Sequence, residues 1–141
     1  LSVYKSFLKI HKFHKKYYCT LQHPKSMISK ETEIGAGTMI GPGTIISPFT
    51  KIGYLVSLSR GAIISHHTKI GDFCTLNPGC KIAGGVKIGE RTTIGIGAII
   101  LDDVEIGENT IVGAGSLVTK SIPSNVIAYG SPAKIIRSNP I

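Results

Sequence analysis

The chain has 141 residues, enough for one domain of ordinary size, and carries a formal net charge of +8. Its apolar runs are far shorter than the roughly 18 residues that a membrane-spanning helix needs. We therefore predict a cytoplasmic protein with no membrane partner.

Positive charge is concentrated at the start of the chain. Residues 1–30 contain seven lysines and no acidic residue. Within residues 1–18, apolar side chains recur every three or four positions, which predicts a short amphipathic helix. A basic segment can contact nucleic acid or an anionic membrane, but a solvated helix face is the simpler interpretation, and we predict neither partner. His11 and His14 are one helical turn apart and are interpreted as surface residues, not metal ligands.

An aliphatic residue recurs at every sixth position between residues 28 and 123, without an insertion. A second series, of small or β-branched residues, lies four positions after each aliphatic one. Residues two apart on a strand share a face, so both series can point into one interior. The next three residues must turn the chain before it faces inward again. This pattern predicts a β-helix with eighteen residues in each triangular coil. The sixteen aliphatic positions are Ile28, Ile34, Ile40, Ile46, Ile52, Leu58, Ile64, Ile70, Leu76, Ile82, Ile88, Ile94, Ile100, Ile106, Val112 and Val118.

The predicted corners contain residues that tolerate a positive φ. Three positions after the aliphatic residue, glycine occurs seven times, and Asn109 takes the same place once. The third residue of a type II turn requires positive φ, which glycine and asparagine accept. His67 also occupies this place, where a positive φ would be strain of the kind found at functional sites. Four corners hold a bulky residue instead, and we predict that they turn differently: Phe49, Leu55, Phe73 and Arg91.

Two of the three cysteines lie in the coils. Cys74 and Cys80 occupy the small inward position of consecutive hexads, so they should face different walls of the triangle. A disulfide between them is disfavoured by this geometry, and we interpret both as small buried apolar residues.

The repeat [Leu/Ile/Val]-Gly-x-x-small-x resembles the hexapeptide-repeat acyltransferase superfamily. The resemblance implies a left-handed parallel β-helix, whereas the usual crossover rule would favour the right-handed form. It also implies that the flat-sided prisms associate as homotrimers. The predicted fold is thus all-β: a left-handed parallel β-helix of about five triangular coils, with a short N-terminal helix and a C-terminal tail.

Two flanking segments are similar to one branch of that superfamily, the sialic-acid O-acetyltransferases and nucleotide-aminosugar N-acetyltransferases. Residues 19–27, CTLQHPKSM, resemble the stretch Thr-Leu-Ile-His-Pro-Ser-Ala that precedes the first coil. The C-terminal residues resemble the closing motif Ile-Pro-x-Asn-Val-x-x-x-Gly-x-Pro-Ala-Lys-x-Ile-Arg. Members of the branch carry a nucleotide-binding domain upstream of the coils. Residues 1–27 are expected to form an N-terminal helix and entry segment, which would be the remnant of that domain if the domain is missing from this chain. The β-helix acyltransferase domain is then residues 28–123, and the tail is 124–141.

The segment GAIISHHTKIGDF carries the chemistry that the resemblance implies. His66 matches the family's general base, which takes a proton from an incoming hydroxyl or amine during acyl transfer from a thioester. An imidazole suits this task near neutral pH. His67 stands where the family has a carboxylate that orients the base. It could bond to His66, contact the acceptor or have no role. We predict both histidines as catalytic residues.

Acetyl-CoA is the co-substrate that the resemblance implies, lying along the prism between subunits. Gly84 comes eighteen residues after His66 and so lies on the same edge, while Ile96 and Ala114 are eighteen apart on a second edge. Small residues let a pantetheine arm approach the backbone, although the need to turn a corner explains the glycines equally well. A cationic side chain in the tail could meet the nucleotide phosphates. Matched position by position, the acetyl-CoA contacts of the family that the chain resembles fall on Thr75, Gly84, Ile96 and Ala114. Gly97 and Lys134 complete the predicted acetyl-CoA contacts.

The predicted function is transfer of an acetyl group from acetyl-CoA to the amine or hydroxyl of a sugar, such as a nucleotide-linked aminosugar or sialic acid. A γ-type carbonic anhydrase would share the fold but needs a third histidine to bind zinc. The coils contain only His66 and His67, so no metal is predicted. The alternative is a non-catalytic β-solenoid, or a fragment that is inactive without its nucleotide domain.

Overall fold

The computed structural model describes residues 18–140, and the predicted helix of residues 1–18 lies almost wholly outside them. The described residues form nineteen strands and no helix. Accordingly, between residues 18 and 140 no helix is long and apolar enough to cross a membrane. The strands are β1 (Leu21–Gln22), β2 (Met27–Ile28), β3 (Glu33–Ile34), β4 (Met39–Ile40), β5 (Ile45–Ile46), β6 (Lys51–Ile52), β7 (Ser57–Leu58), β8 (Ile63–Ile64), β9 (Lys69–Ile70), β10 (Thr75–Leu76), β11 (Lys81–Ile82), β12 (Lys87–Ile88), β13 (Thr93–Ile94), β14 (Ile99–Ile100), β15 (Glu105–Ile106), β16 (Ile111–Val112), β17 (Leu117–Val118), β18 (Val126–Gly130) and β19 (Ala133–Ser138).

Each coil strand pairs in parallel with the strand three places further along the chain. Ile64, for example, lies beside Ile46 on one side and Ile82 on the other, each eighteen residues away. The pairing builds three sheets. Sheet A contains β1, β4, β7, β10, β13, β16, β18 and β19; sheet B contains β2, β5, β8, β11, β14 and β17; sheet C contains β3, β6, β9, β12 and β15. The three-sided parallel β-solenoid with eighteen residues per coil is therefore confirmed.

The solenoid is longer than the predicted five coils. The sixteen predicted hexads supply β2 to β17, and the additional strands all belong to sheet A. In sheet A, Leu21–Gln22 pairs with Met39–Ile40 before the hexads begin, and Val126–Gly130 pairs with Ile111–Val112 after they end. The prediction fell short because the lead-in and the tail add strands that an aliphatic repeat does not reveal.

The tail closes sheet A as an antiparallel hairpin of β18 and β19. Its end is bonded to the last coil through asparagines. The Asn109 side chain donates to Oδ1 of Asn125 at 2.9 Å and to the carbonyl of Asn139 at 3.1 Å. Asn139 Nδ2 donates back to the Asn109 carbonyl at 2.9 Å.

Both inward series line one continuous core. The aliphatic positions from Ile40 to Val118 are all buried, while Ile28 and Ile34 are half-buried at the first coils. The threonines of the second series from Thr38 onward are buried too. All of them except Thr110 donate the hydroxyl to a carbonyl fifteen residues later, as Thr68 does to Ala83 at 3.2 Å. Within residues 18–140 no buried side-chain nitrogen or oxygen lacks a hydrogen-bond partner, as a stable core requires.

The cysteine predictions are confirmed. Cys74 and Cys80 are both buried and unpaired, directly before β10 in sheet A and β11 in sheet B. Cys19 is free and exposed.

The prediction that bulky corner residues turn differently is wrong. Phe49, Leu55, Phe73 and Arg91 have φ values of 59°, 52°, 60° and 56°, like the glycines in the same place. The cause is stacking between coils, since the N–H at this place bonds to a carbonyl of the previous coil. Phe73, for instance, donates to Tyr54 at 2.9 Å. That repeated bond offsets the cost of about 1–2 kcal/mol for a left-handed residue with a Cβ.

Candidate active site

The predicted site residues fall on different edges of the prism. His66, His67 and Gly84 lie at corners that join sheet B to sheet C, called B–C corners below. Ile96, Gly97 and Ala114 lie at A–B corners, which join sheet A to sheet B. The outer residue Thr75 is in β10 of sheet A, and Lys134 is exposed in β19. One chain therefore does not bring all of them together.

The imidazole of His66 is seated against Gly84 in the next coil. A Cβ added to Gly84 would lie 2.8 Å from Cε1 and 3.1 Å from Nε2 of His66. Gly84 is buried and, unlike Gly85, does not have a positive φ. Glycine is therefore required here by the His66 ring and not by the turn. The ring also covers the Gly84 backbone, which we predicted a pantetheine arm would approach.

His67 is held in a strained conformation next to His66. Its φ is +58°, rare for a residue with a large side chain. Its N–H donates to the Pro48 carbonyl at 3.2 Å, and its ring centroid lies 5.1 Å from that of Phe49. Nδ1 of His67 lies 3.0 Å from Nδ1 of His66, with the rings nearly perpendicular. Of the three alternatives for His67, the structure shows the contact with His66.

Two carboxylates complete the lining of this corner. A cavity of 230 Å³ lies between His66, His67, Asp102, Asp103 and the glycines of the intervening coil. Oδ1 of Asp102 accepts the N–H of Gly84 at 3.0 Å. An equivalent bond occurs at another corner, where Oδ1 of Asp72 accepts the N–H of Tyr54 at 2.8 Å. This aspartate bond therefore joins successive coils and is not confined to the site.

Sequence reasoning missed Phe49, Asp102 and Asp103. Each occupies a B–C corner at a multiple of eighteen residues from a histidine: Phe49 lies eighteen before His67, and Asp103 thirty-six after it. Extending the eighteen-residue spacing from the histidines in both directions would have found them, because stacked coils place equivalent corner residues side by side.

The A–B corners are open. A Cβ on Gly97 would have no atom within 4 Å, Ala114 is exposed, and the Ile96 side chain is 59% exposed. An extended ligand could lie along this edge without displacing a side chain. A larger groove of 960 Å³ follows the outer face of sheet C, between Lys51, Lys69, Lys87 and Glu105, and contains none of the predicted residues. Among residues 18–140 no cluster of three or more His, Cys, Asp or Glu could hold a metal ion.

Comparison with known proteins identifies the repeat. The family model described as bacterial transferase hexapeptide (six repeats) matches residues 67–95 and 85–120. A search of curated protein sequences found no significant match.

Solved structures share the fold over most of the chain. A mutant of GDP-perosamine N-acetyltransferase from Caulobacter crescentus, in complex with CoA and GDP-perosamine, is 33% identical with a TM-score of 0.87, covering 94% of this chain and 64% of that one. WeeI from Acinetobacter baumannii AYE is 32% identical with a TM-score of 0.85, covering 96% and 65%. The acetyltransferase domain of PglB from Neisseria gonorrhoeae FA1090, in complex with acetyl-CoA, is 26% identical with a TM-score of 0.82, covering 83% and 57%.

The chain spans less than two thirds of the length of each of these three proteins. Over that shared part, the hexapeptide repeat, the family match and the three-sided solenoid agree. The chain belongs to the hexapeptide-repeat transferase superfamily.

Proposed function

We propose that the protein is an acetyl-CoA-dependent acetyltransferase that acts on the amine or hydroxyl of a nucleotide-linked sugar, with His66 as general base. The observation that carries this proposal is the exposed imidazole of His66, which is seated against Gly84 and contacted at Nδ1 by His67. The Caulobacter enzyme in complex with CoA and GDP-perosamine is an N-acetyltransferase, which favours the amine of an amino sugar over a hydroxyl.

His66 performs the proton transfers of the reaction. Its Nε2 takes the proton of the acceptor amine as the nitrogen attacks the acetyl carbonyl carbon. The new C–N bond forms, the C–S bond breaks, and the proton on Nε2 passes to the departing thiolate of CoA. Charge that develops on the carbonyl oxygen needs a nearby N–H donor. The Gly84 N–H is close to the ring but donates to Asp102 in this structure.

Acetyl-CoA is proposed to run along the A–B corner, where open space supports its binding. Ile96, Gly97 and Ala114 are exposed at that edge, and the Cβ position of Gly97 has no atom within 4 Å. Thr75 lies on the adjoining face of sheet A. Lys134 is exposed on β19, where its ammonium is free to meet a phosphate. We also propose that the chain is divided into an entry segment (1–27), the β-helix acyltransferase domain (28–123) and a tail (124–141). The general base and the A–B corner both belong to the middle unit.

Two copies of the chain are proposed to build each site, in a homotrimer of left-handed prisms. The B–C and A–B corners flank sheet B, so one chain keeps the base and the acetyl-CoA path on opposite edges of that sheet. The outward residues of sheet B are mostly aliphatic, whereas those of sheet C are all charged. An apolar outer face is a common mark of an interface. The outward aliphatic residues of sheet B are Met27, Ile45, Ile63, Ile99 and Leu117.

Acetyl transfer is tested with acetyl-CoA and GDP-perosamine as probes, following release of the CoA thiol and formation of the amide. His66→Ala is expected to lower the rate by about 100- to 10,000-fold, the usual contribution of a general base. His23→Ala is the matched control, because His23 is an exposed histidine of the first coil and should leave the rate unchanged. An alanine variant at position 66 that acetylates as fast as the parent refutes the mechanism.

The alternative is a solenoid that does not catalyse transfer. It would be supported if the parent chain binds CoA but neither acetylates the probe nor hydrolyses acetyl-CoA. The three free cysteines support the proposed location in a reducing compartment, the cytoplasm.

A further inference from the structure

The contact between the two histidines joins atoms of the same kind. Nδ1 of His66 and Nδ1 of His67 are 3.0 Å apart. A neutral imidazole carries a proton on only one nitrogen, so this contact is a hydrogen bond only if one ring has its proton on Nδ1 and the other has it on Nε2. The two possible arrangements leave His66 with opposite properties at Nε2.

The surroundings hold both rings in place, so the contact between the two Nδ1 atoms is a fixed feature of the corner. Gly84 backs the His66 ring, with the Gly84 Cβ position only 3.1 Å from Nε2. His67 is fixed by its bond to the Pro48 carbonyl, its left-handed backbone and its contact with Phe49. The charged groups that line the same cavity are Asp102 and Asp103, and the preceding coil contributes the uncharged Pro48 and Phe49.

We propose that His67 is a positioning residue whose Nδ1 accepts the Nδ1–H of His66 and thereby keeps the lone pair of the base on Nε2. This inference rests on the proposed function, because it matters for catalysis only if His66 is the base. It replaces our prediction that His67 is itself a catalytic residue.

An imidazole in this role has a consequence that an oxygen acceptor would not have. When His67 gains a proton, its Nδ1 becomes a donor and His66 must accept with its own Nδ1. The remaining proton of His66 then sits on Nε2, and the base is lost. A proton on either ring therefore inactivates the pair, and only one neutral arrangement of the two rings is active.

The chain itself supplies side chains that fit the position of His67. The equivalent corner place holds Asp103, Asn109 and Gly85, with φ values of 57°, 50° and 70°. His67→Asp, His67→Asn and His67→Gly should therefore fold. In aspartate and asparagine, Oδ1 is attached to Cγ as Nδ1 is in histidine, so an oxygen acceptor can take the place of the ring nitrogen.

The experiment compares the pH dependence of kcat for the parent and the three variants, with acetyl-CoA and GDP-perosamine. At pH 8 we expect His67→Asp and His67→Asn to keep most of the parent's kcat. The kcat of His67→Gly should fall by about a hundredfold, because a misplaced catalytic group can cost that much. As the pH falls, the parent should lose activity before His67→Asn does, because a proton on either of its two rings inactivates it, whereas only His66 can take that proton in the variant. Coincident pH profiles of the parent and His67→Asn, or equal losses in His67→Asn and His67→Gly, would overturn the inference.

A spectroscopic measurement on the free protein separates this inference from the proposed function. Nitrogen-15 NMR of the imidazoles at pH 8 should show the His66 proton on Nδ1 and the His67 proton on Nε2. The opposite arrangement contradicts the inference even if acetyl transfer depends on His66. If His66→Ala keeps full activity, the proposed function is refuted. The NMR measurement still decides which nitrogen of each ring carries the proton.

Discussion

Gly84 lacks a side chain because the ring of His66 fills that space. The Cβ of an alanine would approach Cε1 of the ring to 2.8 Å, so the imidazole has to move. We expect Gly84→Ala to lower kcat by about a hundredfold, since a displacement of about 1 Å can cost that much. Steady-state kinetics and thermal unfolding measure the two effects.

Gly43→Ala is the control for Gly84→Ala. Gly43 has φ +68° and open space around its Cβ position, with the nearest atoms 3.9 Å away in Gly61. Alanine there should destabilise the fold by about 1–2 kcal/mol through its left-handed backbone and leave kcat unchanged. If both variants lose stability but neither loses activity, the position of the His66 ring is not important for the rate.

The buried thiols differ from the exposed one in reactivity. Burial raises the pKa of Cys74 to about 11 and that of Cys80 to about 12, and the thiolate is the reactive form. With Ellman's reagent at pH 8, we expect only Cys19 to react in the native protein and all three thiols after unfolding. Rapid native labelling of a second thiol would contradict this.

The same shifts predict a loss of stability in alkali. The folded chain favours the protonated thiols, so their contribution is complete below pH 9, the ordinary pKa of a thiol. It is lost as the pH rises through 11 and 12, because the unfolded chain has already ionised. Urea unfolding at several pH values should show stability beginning to decline above pH 9.

At the scale of the element, five corners are attached to the next coil by the hydroxyl of a buried threonine. Thr68 follows the histidines and donates to the carbonyl of Ala83, directly before Gly84. Thr68→Val should destabilise the protein by about 1 kcal/mol, the net value of one hydrogen bond, and should also lower kcat. Urea unfolding and kinetics together test this.

The matched variant is Thr44→Val, which removes the same bond to the Ser59 carbonyl at a corner without histidines. We expect a similar loss of stability and an unchanged rate. Equal effects of both variants on kcat would mean that the bond supports the fold as a whole but not the His66–Gly84 contact.

For the whole molecule, the separation of the site residues on two edges makes assembly testable. His66→Ala removes the base, and Ala114→Trp fills the open A–B corner, so each variant alone should be inactive. If a site uses His66 of one copy and the A–B corner of another, co-expression of both variants should restore about one quarter of the activity, from random assembly of a cyclic trimer.

The result depends on whether the site lies between chains. A site contained within one chain would give no recovery, because every chain then carries a defect. Sedimentation equilibrium of the parent supplies the number of copies independently, and a monomer would refute the proposed homotrimer.

The sequence by itself determined the coil. A pair of inward residues repeated every six positions predicts a polygon of stacked strands. The burial of every sixth residue from Ile40 to Val118 follows directly from that repeat. The same spacing placed His66 and Gly84 on one edge. These features are periodic, so they can be read from the order of residues alone.

Only the tertiary structure decided what happens between coils. It brought Phe73 and its counterparts to positive φ against their local preference, seated the His66 ring on Gly84, joined the two histidines through Nδ1, and added the tail to sheet A. Each of these depends on contacts between residues sixteen or more apart or on the orientation of a side chain. Local propensity does not encode such contacts, because their energy arises only when one coil lies on another.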